Sequence, residues 1–200
     1  MKRLLIFVIT LVLIIPTVIS CSNKKKPLEI SEEDAFNVLK ELVPLSYEIN
    51  VLFFGDGLPT VNYEPSTNTT QYVEVDTEKS AYFSIPQMKA VAEQIYSKRY
   101  LEDIYINMFV GLTATSADGL LDNNVSPRYK VIDGKLMTDI KYEKLDILGQ
   151  LTVVSSNIVK KTYEYVSVNA TCLDGDGNEI IKQFFITVEN GVWLLDGPTY

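Results

Sequence analysis

The hydrophobic period of this chain changes once, about halfway along, and that change restricts its fold more than any single motif does. In the first half, apolar side chains recur at helical spacing. Ser31-Glu32-Glu33-Asp34 reads as a helix start, because Ser31 can cap the first turn and the acids suit the positive end of the helix dipole. Ala35, Val38, Leu39, Leu42, Leu45, Ile49, Leu52 and Phe53 follow at that spacing. Pro44 is expected to kink this helix or divide it in two, and Gly55-Asp56-Gly57 to end it. A second helix is expected to open at Ser84-Ile85-Pro86, with Ser84 as cap and Pro86 tolerated in the first turn. Met88, Val91, Ala92 and Ile95 form its apolar face, and a third helix around Lys98–Phe109 carries Leu101, Ile104, Tyr105 and Met108.

The second half alternates instead. Arg128–Ile132 and Lys135–Asp139 flank Asp133-Gly134, a hairpin signal. Longer strands are expected near 150–159, 162–173 and 179–189, and Asn190-Gly191 turns the chain into a last strand, Val192–Asp196. Residues 59–70 are polar and irregular, Gln71–Asp76 suits a short strand, and 113–126 reads as a loop. Helices first and an antiparallel meander after them predict an α+β domain, with N-terminal helices packed on one face of a curved sheet. The cystatin-like, nuclear-transport-factor-like cone has this order of elements, an analogy that says nothing about activity.

Ahead of the domain lies a segment of different character. Lys2 and Arg3 precede LLIFVITLVLII at 4–15, Pro16-Thr17 breaks the run, and Val18-Ile19-Ser20 leads into Cys21. A positive start, a short apolar core and a small residue before the cut describe a secretory signal over residues 1–20. Val18-Ile19-Ser20-Cys21 resembles the bacterial lipobox, which implies cleavage between Ser20 and Cys21 and diacylglycerol on the Cys21 sulfur. An uncleaved anchor, or an ordinary signal whose cut precedes a cysteine, is the alternative. Two acyl chains hold a protein stably on a bilayer. Residues 21–30 then form a tether reaching at most about 35 Å, and 31–200 a single domain on the extracytoplasmic face of the cell membrane.

Composition excludes several chemistries. From Leu28 onward, 13 basic side chains face 26 acidic ones, a net charge of −13 that repels nucleic acid. The chain contains no histidine, which removes Ser-His-Asp and Cys-His catalysis and the usual zinc sites. Once Cys21 is acylated, Cys172 has no disulfide partner, and its apolar strand setting suits a buried, inert thiol. No cofactor and no metal are expected.

Three further stretches carry a resemblance. They are Tyr72-Val73-Glu74-Val75 with Phe83-Ser84 and the helix after it, Pro127 to Leu136, and the terminal Asn190-Gly191-Val192-Trp193-Leu194-Leu195-Asp196-Gly197-Pro198-Thr199-Tyr200. Across roughly 31–200 the chain resembles the DL-endopeptidase inhibitor (IseA-like) family of clostridia and bacilli. That resemblance implies a non-enzymatic protein that restrains a cell-wall DL-endopeptidase, a surface loop plugging the substrate groove. The chain departs from the secreted inhibitor in its lipid anchor.

Candidate interaction residues follow. Asp174-Gly175-Asp176-Gly177-Asn178-Glu179 crowds three carboxylates into one turn. A calcium loop needs Gly at its sixth place and Glu at its twelfth; Glu179 and Phe185 stand there, so the alternatives are an acidic loop for a basic groove or a plain Asp/Gly turn. The 113–126 loop adds Asp118 and Asp122. Tyr47, Tyr96, Tyr100, Tyr105, Tyr142, Tyr163 and Tyr165 could line a cleft or sit at core edges, and Arg128 could pair with a helix carboxylate. Two other functions stay open: a cone holding a small apolar or glycan ligand, and an enzyme working with carboxylates alone.

Overall fold

Helix α1 (Glu32–Phe53) is the rod against which the other elements pack. The computed structural model describes residues 25–61, 70–115 and 122–200. The expected signal and the Ser20–Cys21 cleavage site lie outside these residues, as does Asp118. Ser31 caps α1 as expected, its Oγ accepting from the Asp34 N–H at 3.0 Å. Pro44 does not divide the helix. Its missing N–H and ring clash cost about 3 kcal/mol in a helix interior, but Leu39, Leu42 and Val43 before it and Ile49, Leu52 and Phe53 after it are all buried on the same core. Tertiary packing on both sides outweighs the local penalty.

Helix α2 (Ile85–Ala92) starts on Ser84, whose Oγ accepts from the Gln87 N–H, with Pro86 in the first turn. Helix α3 (Lys98–Tyr105) runs into a π-helical turn over Ile106–Val110, closed by the Gly111 N–H on the Ile106 carbonyl at 2.7 Å. Among the described residues no helix is long and apolar enough to cross a membrane.

The strands form antiparallel sheets, and the domain is α+β. Four of them, β6 (Thr152–Lys161), β7 (Val166–Leu173), β8 (Glu179–Glu189) and β9 (Val192–Leu195), make a meander in that order. The short β1 (Tyr72–Glu74) pairs with β5 (Lys135–Asp139), which pairs with β4 (Tyr129–Ile132). The expected single meander is therefore split: the β4–β5 hairpin turns away to join β1, and residues 142–150 cross to β6 with no regular structure. The stretch expected as a loop at 113–126 instead contributes to a separate hairpin, β2 (Leu112–Thr115) against β3 (Asp122–Val125). Asp133 and Asn190 adopt the positive φ of 50° and 52° that their tight turns need, each followed by a glycine at φ near 80°.

The core fills the space between helices and meander. Along β7, Val166, Val168, Ala170 and Cys172 point inward at every second residue and meet Phe184, Ile186 and Leu195 of the neighbouring strands together with Leu39, Ile49, Met88 and Leu101 of the helices. Trp193 packs half-buried against this cluster. Cys172 is free and fully buried, and burial raises its thiol pKa.

Candidate functional site

The direction of α1 along the meander sets which surfaces lie near the residues that lead into the helix. Near its start, Glu32 accepts from the Ile158 N–H at 2.7 Å, and farther on the Pro44 carbonyl accepts from Gln150 at 3.3 Å. Helix and strand β6 are thus antiparallel. Leu28, ahead of the helix, donates its N–H to the Thr162 carbonyl, and the Lys25 ammonium sits 4.9 Å from the Tyr163 ring centre. At the other end of β6, Thr152 pairs with Leu173, the last residue before the acidic turn. Ten residues of strand separate these ends, about 33 Å at about 3.3 Å per residue.

The acidic turn is therefore remote from Leu28 and the residues that lead into α1. Asp174 is its organiser: Oδ1 accepts from the Asp176 and Asn178 N–H groups at 2.9 and 2.8 Å, and Oδ2 from the Asn178 amide at 3.1 Å. These bonds hold its carboxyl below the usual carboxylate range. Asp176 and Glu179 are exposed. The turn is thus a stiff platform that leaves two of its three carboxylates facing solvent. Among the described residues no three His, Cys, Asp or Glu side chains are grouped to hold a metal. Asp122 opens β3 opposite Thr115.

The same end of the molecule holds a polar cluster that its sequence signals did not reveal. Arg128 does not pair with a helix carboxylate. Its Nη1 and Nη2 donate to the Phe53 and Gly55 carbonyls, each at 2.7 Å, and the Tyr129 hydroxyl donates to the Leu52 carbonyl at 2.8 Å. The last carbonyls of a helix have no partners within it and carry the negative end of its dipole, so a cation and a phenol from another element complete them. The π-turn helps to place Arg128, whose own N–H donates to the Asn107 carbonyl at 3.1 Å. Gly57 is required above this clamp: its φ is +76°, and a Cβ there would collide with the Arg128 guanidinium and lie 2.8 Å from the Tyr129 hydroxyl.

Two clefts open beside the clamp. One, of about 400 Å³, lies between Tyr47 and Val51 of α1 and the crossing segment at Lys144, Leu145, Asp146 and Ile147. The other, of about 340 Å³, is bordered by Leu58, Thr60, Arg128, Thr138, Asp139 and Tyr142. Gly55, Asp56 and Lys144 line both, and the Asp56–Lys144 ion pair at 2.5 Å stands between them. Lys144 lowers the Asp56 pKa, which makes this acid a poor proton donor. Asp139 uses both oxygens internally, accepting from the Lys141 N–H and the Gln71 amide at 2.8 Å each. Neither is placed as the acid of a two-carboxylate hydrolase.

The tyrosines do not form one surface. Tyr47 and Tyr142 border the clefts, whereas Tyr96 is buried, Tyr100 lies against it, Tyr105 packs on Phe53 and Phe109, Tyr163 is exposed beside Lys25, and Tyr165 packs on Phe185. Tyr96 instead belongs to a buried network with α1: it donates to Asn50 Oδ1 at 2.8 Å, Asn50 Nδ2 donates to Thr199 Oγ1 at 2.7 Å, and Thr199 lies 2.8 Å from the Tyr96 hydroxyl. A proton order Thr199 to Tyr96 to Asn50 to Thr199 closes this ring. No protein-family model matches the chain, and no curated protein sequence is significantly similar to it.

Proposed function

We propose that the chain is a lipid-anchored protein of the outer face of the cell membrane that binds and restrains a peptidoglycan DL-endopeptidase by steric occlusion, without catalysis of its own. The observation that carries this reading is the position of the acidic turn, at the far end of β6 from the tether. With Cys21 acylated, such an arrangement points Asp176 and Glu179 toward the cell wall. Asp174 keeps the turn preorganised, so little ordering entropy is lost when a partner closes on it. Exposed carboxylates favour a basic-rimmed groove and speed encounter with it. We read the meander as the wall of a cystatin-like cone; α1 lies against both of its outer strands, β6 and β9, and register shifts at Val153/Ser155 and Ile158/Lys160 bend β6. The interior of that wall is occupied by core side chains, which disfavours an apolar or glycan guest held inside.

The test places the full chain in lipid nanodiscs and follows wall digestion by a purified DL-endopeptidase. Equimolar protein should slow digestion and give a complex by calorimetry, and an Asp176→Asn/Glu179→Gln double variant should restrain the enzyme less. Unchanged digestion rates with no heat of binding would overturn the proposal.

A further inference from the structure

The clamp on α1 leaves Arg128 with capacity that the protein does not use. Its side chain is 4% exposed and, among the described residues, enters no ion pair. Its charge meets two backbone carbonyls and the face of Tyr142, whose ring centre lies 4.4 Å away, and at longer range it shares the Asp56 carboxylate with Lys144. The Nε–H has no hydrogen-bond partner among the described residues. Helix-end carbonyls together amount to about half a negative charge, so a buried guanidinium held by them alone remains under-compensated. Arg128 also borders an open cleft of about 340 Å³, within the size range of small-ligand sites.

We propose that this cleft binds a small carboxylate, such as the free carboxylate end of a short peptide. Arg128 supplies the buried charge and Tyr142 the apolar wall. Thr60 and Thr138 line the rim, and Lys144, exposed at the mouth, supplies a second cation. The acids that share the cleft offset only part of this field: Asp56 is paired with Lys144 and acts on Arg128 without an ion pair to it, and Asp139 spends both oxygens on neutral donors. A carboxylate would complete the charge of Arg128, and a neutral amide of the same shape would not. The site stands apart from hydrolase restraint, since none of these residues belongs to the acidic turn.

The probes are N-acetyl-alanyl-alanine and its C-terminal amide, titrated calorimetrically and by NMR into the full chain in detergent micelles. The acid should bind saturably and the amide at least about tenfold more weakly. Arg128→Met, which removes the charge, should abolish most of that preference. Should that variant fail to fold by circular dichroism, Lys144→Gln and Tyr142→Leu decide: each should weaken the acid while leaving hydrolase restraint intact. Equal binding of acid and amide, unchanged affinity in both cleft variants, or no saturable signal up to about 10 mM with folded protein would overturn the proposal.

Discussion

The end of α1 and the acidic turn are both rich in polar groups, yet they satisfy them in opposite ways. At the helix end the side chains that close it bond over long range: Arg128 and Tyr129 reach carbonyls more than 70 residues earlier, and Thr199 meets side chains about 150 residues away. In the turn, Asp174 is satisfied by residues two and four places on. A polar group bonded across the fold contributes to stability and is withdrawn from solvent. One bonded within its own turn leaves its neighbours free for a partner. Substitutions at the first region should therefore register in unfolding, and those at the second in binding.

The sharpest way to break this contrast is Arg128→Met. Two helix-end carbonyls would lose their charged donors, and urea unfolding should show a loss of about 4 kcal/mol; a loss under about 1 kcal/mol would mean that the clamp is incidental. Alkaline pH tests the same region. Burial pushes the Tyr96 and Tyr129 hydroxyls up to about 12, so the unfolded chain loses protons near pH 10 that the folded chain retains. Stability is full below pH 10 and falls between 10 and 12, by about 1.4 kcal/mol per phenol per pH unit. Tyr100 and Tyr105, also raised by burial, act in the same direction. Unfolding free energies at pH 9 and 11 should differ accordingly, and Tyr96→Phe should flatten the slope. Thr199→Val keeps the volume but strips the ring of its hydroxyl, and should cost about 2 kcal/mol in the same denaturation assay. At the turn, Asp176→Asn/Glu179→Gln should move stability by less than about 0.5 kcal/mol, its effect confined to the proposed restraint of a hydrolase. A clear drop in melting temperature would erase the distinction between the two regions.

What could be read from the chain in advance divides along the same line. The caps at Ser31 and Ser84 and the turns at Asp133-Gly134 and Asn190-Gly191 are written in neighbouring residues, and they stand where those residues place them. Pro44 does not divide the helix because its penalty is local while the packing that overrides it is not. The β4–β5 hairpin was legible as a hairpin, but its departure from the meander depends on pairing with β1 some 65 residues earlier. For Arg128 the sequence suggests a helix carboxylate as partner, whereas its partners are backbone carbonyls, which every residue has and which leave no pattern to read. The cleft was hidden for a related reason: Asp56 and Lys144 lie 88 residues apart and have no pattern in common.

The ring at Thr199 also governs when the chain can finish folding. Ser46, whose hydroxyl lies 2.6 Å from that of Thr199, and Asn50 leave the ribosome about 150 residues before the hydroxyl that closes their network, and Tyr96 about 100 before it. Contacts this distant in sequence form late, after long loops have been closed. Until then α1 carries buried-type polar side chains without partners. A chain built in this way remains unfinished throughout synthesis, and it locks only when its final strand and the residues after it have emerged.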